Sequence, residues 1–209
     1  MHTIMVANPK GGCGKSTLAI HLASWFAHCD EIVCLADLDR QQSSAEWLKR
    51  RPSTLPPIRA WASEDGTPGA PPRDCGVGIL DTPAGLHGKA LRQLLREVDR
   101  VIVPVAPSRF DMLASRDFFD ELAETKAVRK DRVGVAIVGM RVDPRTNASQ
   151  QMLEFLQQFD LPLVTCIRNT QRYVQAVETG ETLFDPGRNA TGDLEQWRPL
   201  LDWLVTRRT

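Results

Sequence analysis

The chain has 209 residues, 42% of them hydrophobic, with 26 acidic and 26 basic side chains and a formal net charge of zero. That length and apolar share support one sizeable core and are too small for two comfortable ones. The charge balance excludes a uniformly basic coat for nucleic acid, and no apolar run approaches the length of a membrane span.

In chain order, residues 3–7 are apolar and predict a strand, and residues 18–26 predict an amphipathic helix. Between them stands Lys10-Gly11-Gly12-Cys13-Gly14-Lys15-Ser16-Thr17. Strand, glycine turn, helix is the setting of a phosphate-binding loop. Gly11, Gly12 and Gly14 let successive backbone N–H groups turn toward one anion, and the helix aims its positive end at the same point. Lys15 supplies a point charge for the β- and γ-phosphates, and the Ser16 hydroxyl suits Mg²⁺.

Residues 31–36 form the next apolar run, a buried parallel strand by its continuity, ending in Asp37-Leu38-Asp39-Arg40-Gln41-Gln42-Ser43. Carboxylates at such a strand end lie beside the ligand crevice of an open α/β sheet. Residues 44–49 predict a helix that Ser43 caps. Residues 51–76 are rich in Pro and Gly, and predict a short edge strand at 58–61 within a loop. Residues 77–81 are a strand delivering Asp81 toward a metal, followed by Thr82-Pro83-Ala84-Gly85.

A helix over 86–98, a strand over 100–105 and a helix over 109–127 come next, with Phe110, Leu113, Phe118, Phe119 and Leu122 as expected core contacts. A strand over 131–138 runs into a loop at 140–147, then a helix over 149–159 and a strand over 161–167. The set Leu194, Trp197, Leu200, Leu201, Trp203 and Leu204 predicts a final helix packed on its own sheet, a commoner use of that spacing than a membrane surface. Alternating strands and helices imply one α/β domain over residues 1–209, a mostly parallel twisted sheet with helices on both faces. The five cysteines show no C-x-x-C pair, which argues against a disulfide framework or a metal cluster and for a reducing, cytoplasmic setting. No charged and apolar leader precedes the first strand.

Lys10 at the front of the glycine turn makes the stretch KGGxGK[ST], the deviant Walker A motif, and the chain resembles the ParA/MinD family of ATPases. The segments at 37–43 and 81–85 resemble that family's switch I and switch II. The resemblance implies a P-loop NTPase using ATP and Mg²⁺, with residues 10–17 on the nucleotide and Lys10 reaching a partner subunit's phosphates across an ATP-sandwich homodimer. It implies that Asp39 orients the attacking water and that Asp37, with Ser16 and Asp81, supports the metal. The segment Arg168-Asn169-Thr170-Gln171-Arg172 resembles one that touches nucleotide, at Asn169, and non-specific DNA, at Arg172. Arg198 and Arg207 would extend that DNA patch. Arg40 stands where the family commonly has proline.

The function implied is DNA partition or cargo positioning, nucleoid-associated when ATP is bound and stimulated by a ParB-like adaptor. No guanine-reading N-K-x-D follows residue 138, which favours ATP over GTP. A MinD-like membrane ATPase is the alternative; it would need a detachable amphipathic tail. An iron–sulfur carrier would need paired cysteines, and a bacterial tyrosine kinase more tyrosines than Tyr173.

Overall fold

The computed structural model describes residues 1–64, 66–188 and 190–206. In chain order the elements are β1 (His2–Val6), α1 (Lys15–His28), β2 (Val33–Asp37), α2 (Ser43–Arg50), β3 (Ile58–Ala60), β4 (Ser63–Glu64), β5 (Thr67–Pro68), β6 (Val77–Asp81) and α3 (Gly88–Leu94). They continue through β7 (Arg100–Val105), α4 (Arg109–Glu124), α5 (Lys126–Arg129), β8 (Gly134–Val142), α6 (Asn147–Leu156), β9 (Leu163–Arg168), α7 (Gln171–Glu178), α8 (Thr191–Leu194) and α9 (Arg198–Val205).

Seven strands make one sheet in the order β3-β2-β6-β1-β7-β8-β9, and every pairing in it is parallel. Because both faces are covered, the strands read as continuous apolar runs, and alternate residues enter opposite halves of the core. Ile4 and Val6 pack under α1, α2, α7 and α9, with Trp47, Tyr173, Trp197 and Leu200. Met5 and Ala7 face the other layer, with Leu91 and Leu94 of α3, Phe118, Phe119 and Leu122 of α4, and Met152 of α6. The chain moves outward from β1 to β2 and β3, returns to β6 beside β1, then crosses β1 to β7. That reversal opens a crevice at the carboxyl ends of β1, β2 and β6, where an open α/β sheet binds its ligands.

The expectation of an amphipathic α1 fails. Leu18, Ala19, Ile20, His21, Leu22, Ala23, Ser24, Phe26 and Ala27 are all buried, so the helix is enclosed on nearly all sides. His21 is fully buried; its ring stacks on Trp197 at 5.2 Å and meets Tyr173 edge-on at 5.1 Å. Its Nδ1 lies 2.8 Å from the Thr17 carbonyl and its Nε2 accepts from the Leu183 N–H at 3.3 Å, which fixes the neutral ring with the proton on Nδ1.

Burial pushes the His21 imidazole down to about 4 from 6.5, against the opposing pull of the Thr17 carbonyl and Asp185. A base with a depressed folded pKa favours the native state above 6.5, and that contribution is lost as pH falls through 6.5 toward 4. The shift corresponds to about 3 kcal/mol. Urea midpoints of the parent should therefore fall between pH 7 and pH 5, and the fall should be smaller in His21→Phe. An equal fall in both would place the acid sensitivity elsewhere.

Other expectations need correction. Phe110 and Leu113 are exposed (76% and 64%) and are not core residues; the buried side of α4 is Asp111, Ser115, Phe118, Phe119 and Leu122. The helix expected to reach residue 127 breaks at Thr125, whose backbone is extended and whose hydroxyl donates to the Leu122 carbonyl. Strand β8 continues to Val142 through residues read as loop, with a register shift at Arg141. Beyond the edge strand, Ser63–Glu64 and Thr67–Pro68 add a small antiparallel pair, β4 with β5. The segment after β9 holds α7, capped by the Thr170 hydroxyl and buried through Tyr173 and Ala176. At the C-terminal end, Trp197, Leu200, Leu201 and Leu204 are buried against the sheet, as expected.

Candidate nucleotide site

The glycine turn after β1 takes its shape from two residues. Gly12 and Gly14 have φ of 77° and 102°, in the left-handed region that side chains disfavour. A Cβ on Gly14 would also lie 2.8 Å from the Met140 methyl, so β8 presses on the turn just where α1 begins. The Gly85 N–H donates to the Pro9 carbonyl at 2.8 Å, tying the loop after β6 to the front of the turn.

Around this turn lies an open cleft of about 1200 Å³. Gly11, Gly12, Gly14, Lys15, Ser16 and Thr17 line its floor, Asp37 and Asp39 one wall, and Pro83 and Ala84 another. Lys15 is buried and its ammonium donates to the Lys10 carbonyl at 2.9 Å. The Cys13 thiol donates to the same carbonyl at 3.3 Å, and burial pushes that thiol up from its ordinary pKa. Lys10 is half-buried at the front of the turn and is not among the residues lining the cleft; its N–H donates to Asn8 Oδ1 at 2.8 Å.

The two strand-end carboxylates differ sharply. Asp37 is fully employed: Oδ1 accepts the Asp39 N–H at 3.0 Å, and Oδ2 accepts Ser44 N–H at 2.9 Å and Ala45 N–H at 3.0 Å. It therefore caps α2, the role expected of Ser43. Ser43 is the first residue of α2, and Gln42, at the cap position, makes no side-chain cap bond. Asp81 is 1% exposed, and neither carboxylate oxygen makes a hydrogen bond of good geometry, although the Ser16 and Ser44 hydroxyls lie close by. Burial pushes its carboxyl up to about 7; the Ser16 hydroxyl opposes that rise and the Asp37 charge adds to it.

A buried carboxylate without a well-formed hydrogen bond calls for a further partner. A magnesium ion fits: it takes one or two protein carboxylates and a hydroxyl, then completes its shell with phosphate oxygens and water. Among the described residues no cluster of three or more His, Cys, Asp or Glu side chains forms a protein-only metal cage, consistent with that sparse ligation. Asp81 and Ser16 are the residues that would hold it.

Asp39 lines the cleft and accepts the Gln41 N–H at 3.0 Å. Asn169 is exposed in the turn between β9 and α7 and does not line the cleft. Arg172, half-exposed, pairs at 3.2 Å with Asp193, whose side chain is fully buried; Arg168 pairs with the other oxygen at 2.5 Å. These hydrogen bonds, Arg168 first, outweigh burial and hold the Asp193 carboxyl below its ordinary value. Arg198 is exposed at the first turn of α9, and Arg207 lies outside the described residues.

Three site residues escape sequence reasoning. Ser63, from β4, lines the cleft and donates to the Asp37 carbonyl at 2.7 Å. Arg141 also lines it, turned there by a left-handed backbone (φ 56°) at the β8 bulge. Asn8 is wholly buried beneath Lys10. A polar residue between an apolar strand and a glycine turn was the visible signal for Asn8; Arg141 stands in the 140–147 loop set apart in the sequence, and nothing local marks Ser63.

A parallel sheet with a glycine turn, an ammonium and an orphaned carboxylate at its switch point defines a nucleoside-triphosphate-binding P-loop protein. Over residues 4–183 the chain matches the family described as CobQ/CobB/MinD/ParA nucleotide binding domain, and it belongs to that family. It is 28% identical over 204 residues to the maintenance of carboxysome distribution protein A of Halothiobacillus neapolitanus, covering 93% of each chain. It is 27% identical over 239 residues to the chromosome-partitioning ATPase Soj of Thermus thermophilus, covering 98% of this chain and 95% of that one. Its fold is similar to that of a plasmid partition protein of Borrelia burgdorferi bound to AMPPNP, with a TM-score of 0.73 and 16% identity over 96% of this chain and 97% of that one.

Proposed function

We propose that this ParA/MinD-family ATPase is a positioning switch: ATP joins two copies, the dimer binds DNA without sequence preference, and a ParB-like adaptor triggers hydrolysis and release. The observation that carries the reading is the placement of Lys10, half-buried at the front of the glycine turn with its N–H held by Asn8 and its carbonyl by Lys15 and Cys13. In this reading its ammonium projects from the protomer toward a second copy facing the turn.

In this reading the N–H groups of residues 11–17 and the Lys15 ammonium hold the β- and γ-phosphates. The Lys10 ammonium of the opposite copy neutralises charge developing on the γ-phosphoryl group, as an arginine finger does in trans. Asp39 accepts a hydrogen bond from the attacking water and orients it. Positioning suits an aspartate better than outright deprotonation at neutral pH. Magnesium, when bound, neutralises charge on the phosphate oxygens. Asp81 and Ser16 would hold it, with the Asp37 charge close enough to act on Asp81.

For DNA, the Asp193 carboxylate sets Arg168 and Arg172 side by side, each about half exposed. Paired guanidinium groups at a surface suit phosphates, which are contacted through charge and not sequence. Arg198 extends the patch, and Arg207 would extend it further. The membrane alternative draws no support from Leu200, Leu201 and Leu204, which are buried in the core. No helix among the described residues is long and apolar enough to cross a membrane.

The test is retention on non-specific duplex DNA across a salt series. Retention should require ATP, be equal on two unrelated sequences and weaken as salt rises. Arg172→Gln should make the salt slope shallower by about one unit, the share of a single neutralised phosphate. Glutamine is the better probe, because a glutamate would bring a second carboxylate against buried Asp193. Retention independent of nucleotide, or an unchanged slope in the variant, would contradict the assignment.

A further inference from the structure

Asn8 is 0% exposed, and its amide is employed at both ends. Nδ2 donates to the Pro104 carbonyl at 2.7 Å and to Ser115 Oγ at 3.0 Å, while Oδ1 accepts the Lys10 N–H at 2.8 Å. Pro104 lies at the carboxyl end of β7, and Ser115 is buried on α4. One side chain thus joins the peptide of Lys10 to the strand and helix next door. On the other side of that residue, the Lys10 carbonyl receives the Lys15 ammonium and the Cys13 thiol. The same helix carries Asp111, near enough for the Lys10 charge to act on its carboxyl.

We propose that Asn8 is the positioning residue for Lys10: it fixes the direction in which that ammonium leaves the protomer and couples it to α4. The inference rests on the reading in which Lys10 acts on the partner copy's phosphates. The requirement is for an amide. Two donors and an acceptor must be presented from one short, planar group in a site closed to bulk solvent, and asparagine supplies all three. Aspartate has the same shape but would set a carboxylate oxygen against the Pro104 carbonyl, an acceptor facing an acceptor. Lys10 carries its charge on a flexible four-carbon stem, so a small rotation of its backbone becomes a large displacement at the ammonium. Misplacement of a catalytic group by about 1 Å costs about 100-fold in rate.

The experiment follows two quantities in the full chain with Mg-ATP: the ATP dissociation constant, and the part of turnover that rises with protein concentration and so reports the dimer. In Asn8→Asp the affinity should stay within about threefold of the parent, while saturated dimer turnover falls about tenfold or more. The double variant Asn8→Asp with Lys10→Ala should be no slower than Lys10→Ala alone, since the two act as one unit. Additive losses, or an affinity that falls as far as the rate, would make Asn8 a structural residue only and overturn the inference.

If Asn8→Asp does not fold, Ser115→Ala takes its place. It keeps the bond to Lys10 and removes the tether to α4, and should slow dimer turnover at unchanged affinity; a parent-like rate would overturn the coupling. Should Lys10→Ala itself turn over like the parent, action in trans fails and this inference falls with it. A slow Lys10→Ala beside a parent-like Asn8→Asp refutes the inference alone.

Discussion

Lys15→Ala should abolish nucleotide binding while leaving the fold intact. In the structure the Lys15 ammonium makes a hydrogen bond to a main-chain carbonyl at 2.9 Å, at the floor of the cleft. Losing that bond costs the protomer little, because the Lys10 carbonyl retains the Cys13 thiol as a donor. Losing the charge costs the ligand a great deal. Charge-assisted hydrogen bonds contribute about 1.5–3 kcal/mol each, and two phosphate oxygens would share this ammonium. The expected loss of ATP affinity is at least about 100-fold, with an unfolding midpoint close to the parent's. Lys15→Arg should not rescue it, since a planar fork cannot replace a compact ammonium enclosed by the turn. Calorimetric titration with ATP and magnesium measures the effect; affinity within tenfold of the parent's would remove Lys15 from the phosphate site.

The second large effect concerns stability and lies away from the cleft, toward the far end of α1. Asp185 has no exposed side-chain surface, and both its oxygens meet the Arg51 guanidinium, at 3.1 and 3.2 Å. Oδ1 also lies 2.7 Å from His28 Nε2, and Oδ2 accepts the Thr182 N–H at 2.7 Å. Burial raises the carboxyl's pKa, but the bonds from Arg51 and His28 outweigh it and hold the pKa below its ordinary value. The Arg51 side chain is itself 4% exposed. Asp185→Ala would leave a buried guanidinium without its counter-charge, which costs about 3–5 kcal/mol. Asp185→Asn keeps some of the hydrogen bonds and should lose less. Urea unfolding at neutral pH measures both variants. A loss below about 1 kcal/mol for the alanine variant would mean that water or neighbouring groups replace the carboxylate.

The sequence showed clearly whatever depended on local pattern. Strands β1, β2, β6 and β7 were visible because a parallel strand covered on both faces needs apolar residues at every position. The glycine turn, Lys15 and Asp81 were visible because phosphate and metal chemistry demands particular residues at fixed offsets. What stayed hidden depends on contacts between distant segments. Phe110 and Leu113 share the apolar spacing of core residues, yet the first two turns of α4 bury Asp111 and Ser115 instead and leave the two apolar side chains in solvent.

The Asp37 cap is another such case. A carboxylate from β2 reaches the Ser44 and Ala45 N–H groups seven and eight residues on, where sequence rules look for a cap immediately before the helix. Arg141 enters the cleft only because β8 and β9 shift register beside it. Asn169 shows the opposite limit: a position carried over from a resemblance, exposed outside the cleft that the turn defines.

The central claim is that one triphosphate is shared between two copies of this chain. Sedimentation of the protein with magnesium and a non-hydrolysable ATP analogue tests it most directly, across a range of protein concentrations. The account predicts that the 23.3 kDa particle doubles in mass with the analogue and stays single with ADP or without nucleotide. A particle that remains single when the analogue saturates its site would contradict the account and leave an ordinary P-loop nucleotide binder in its place.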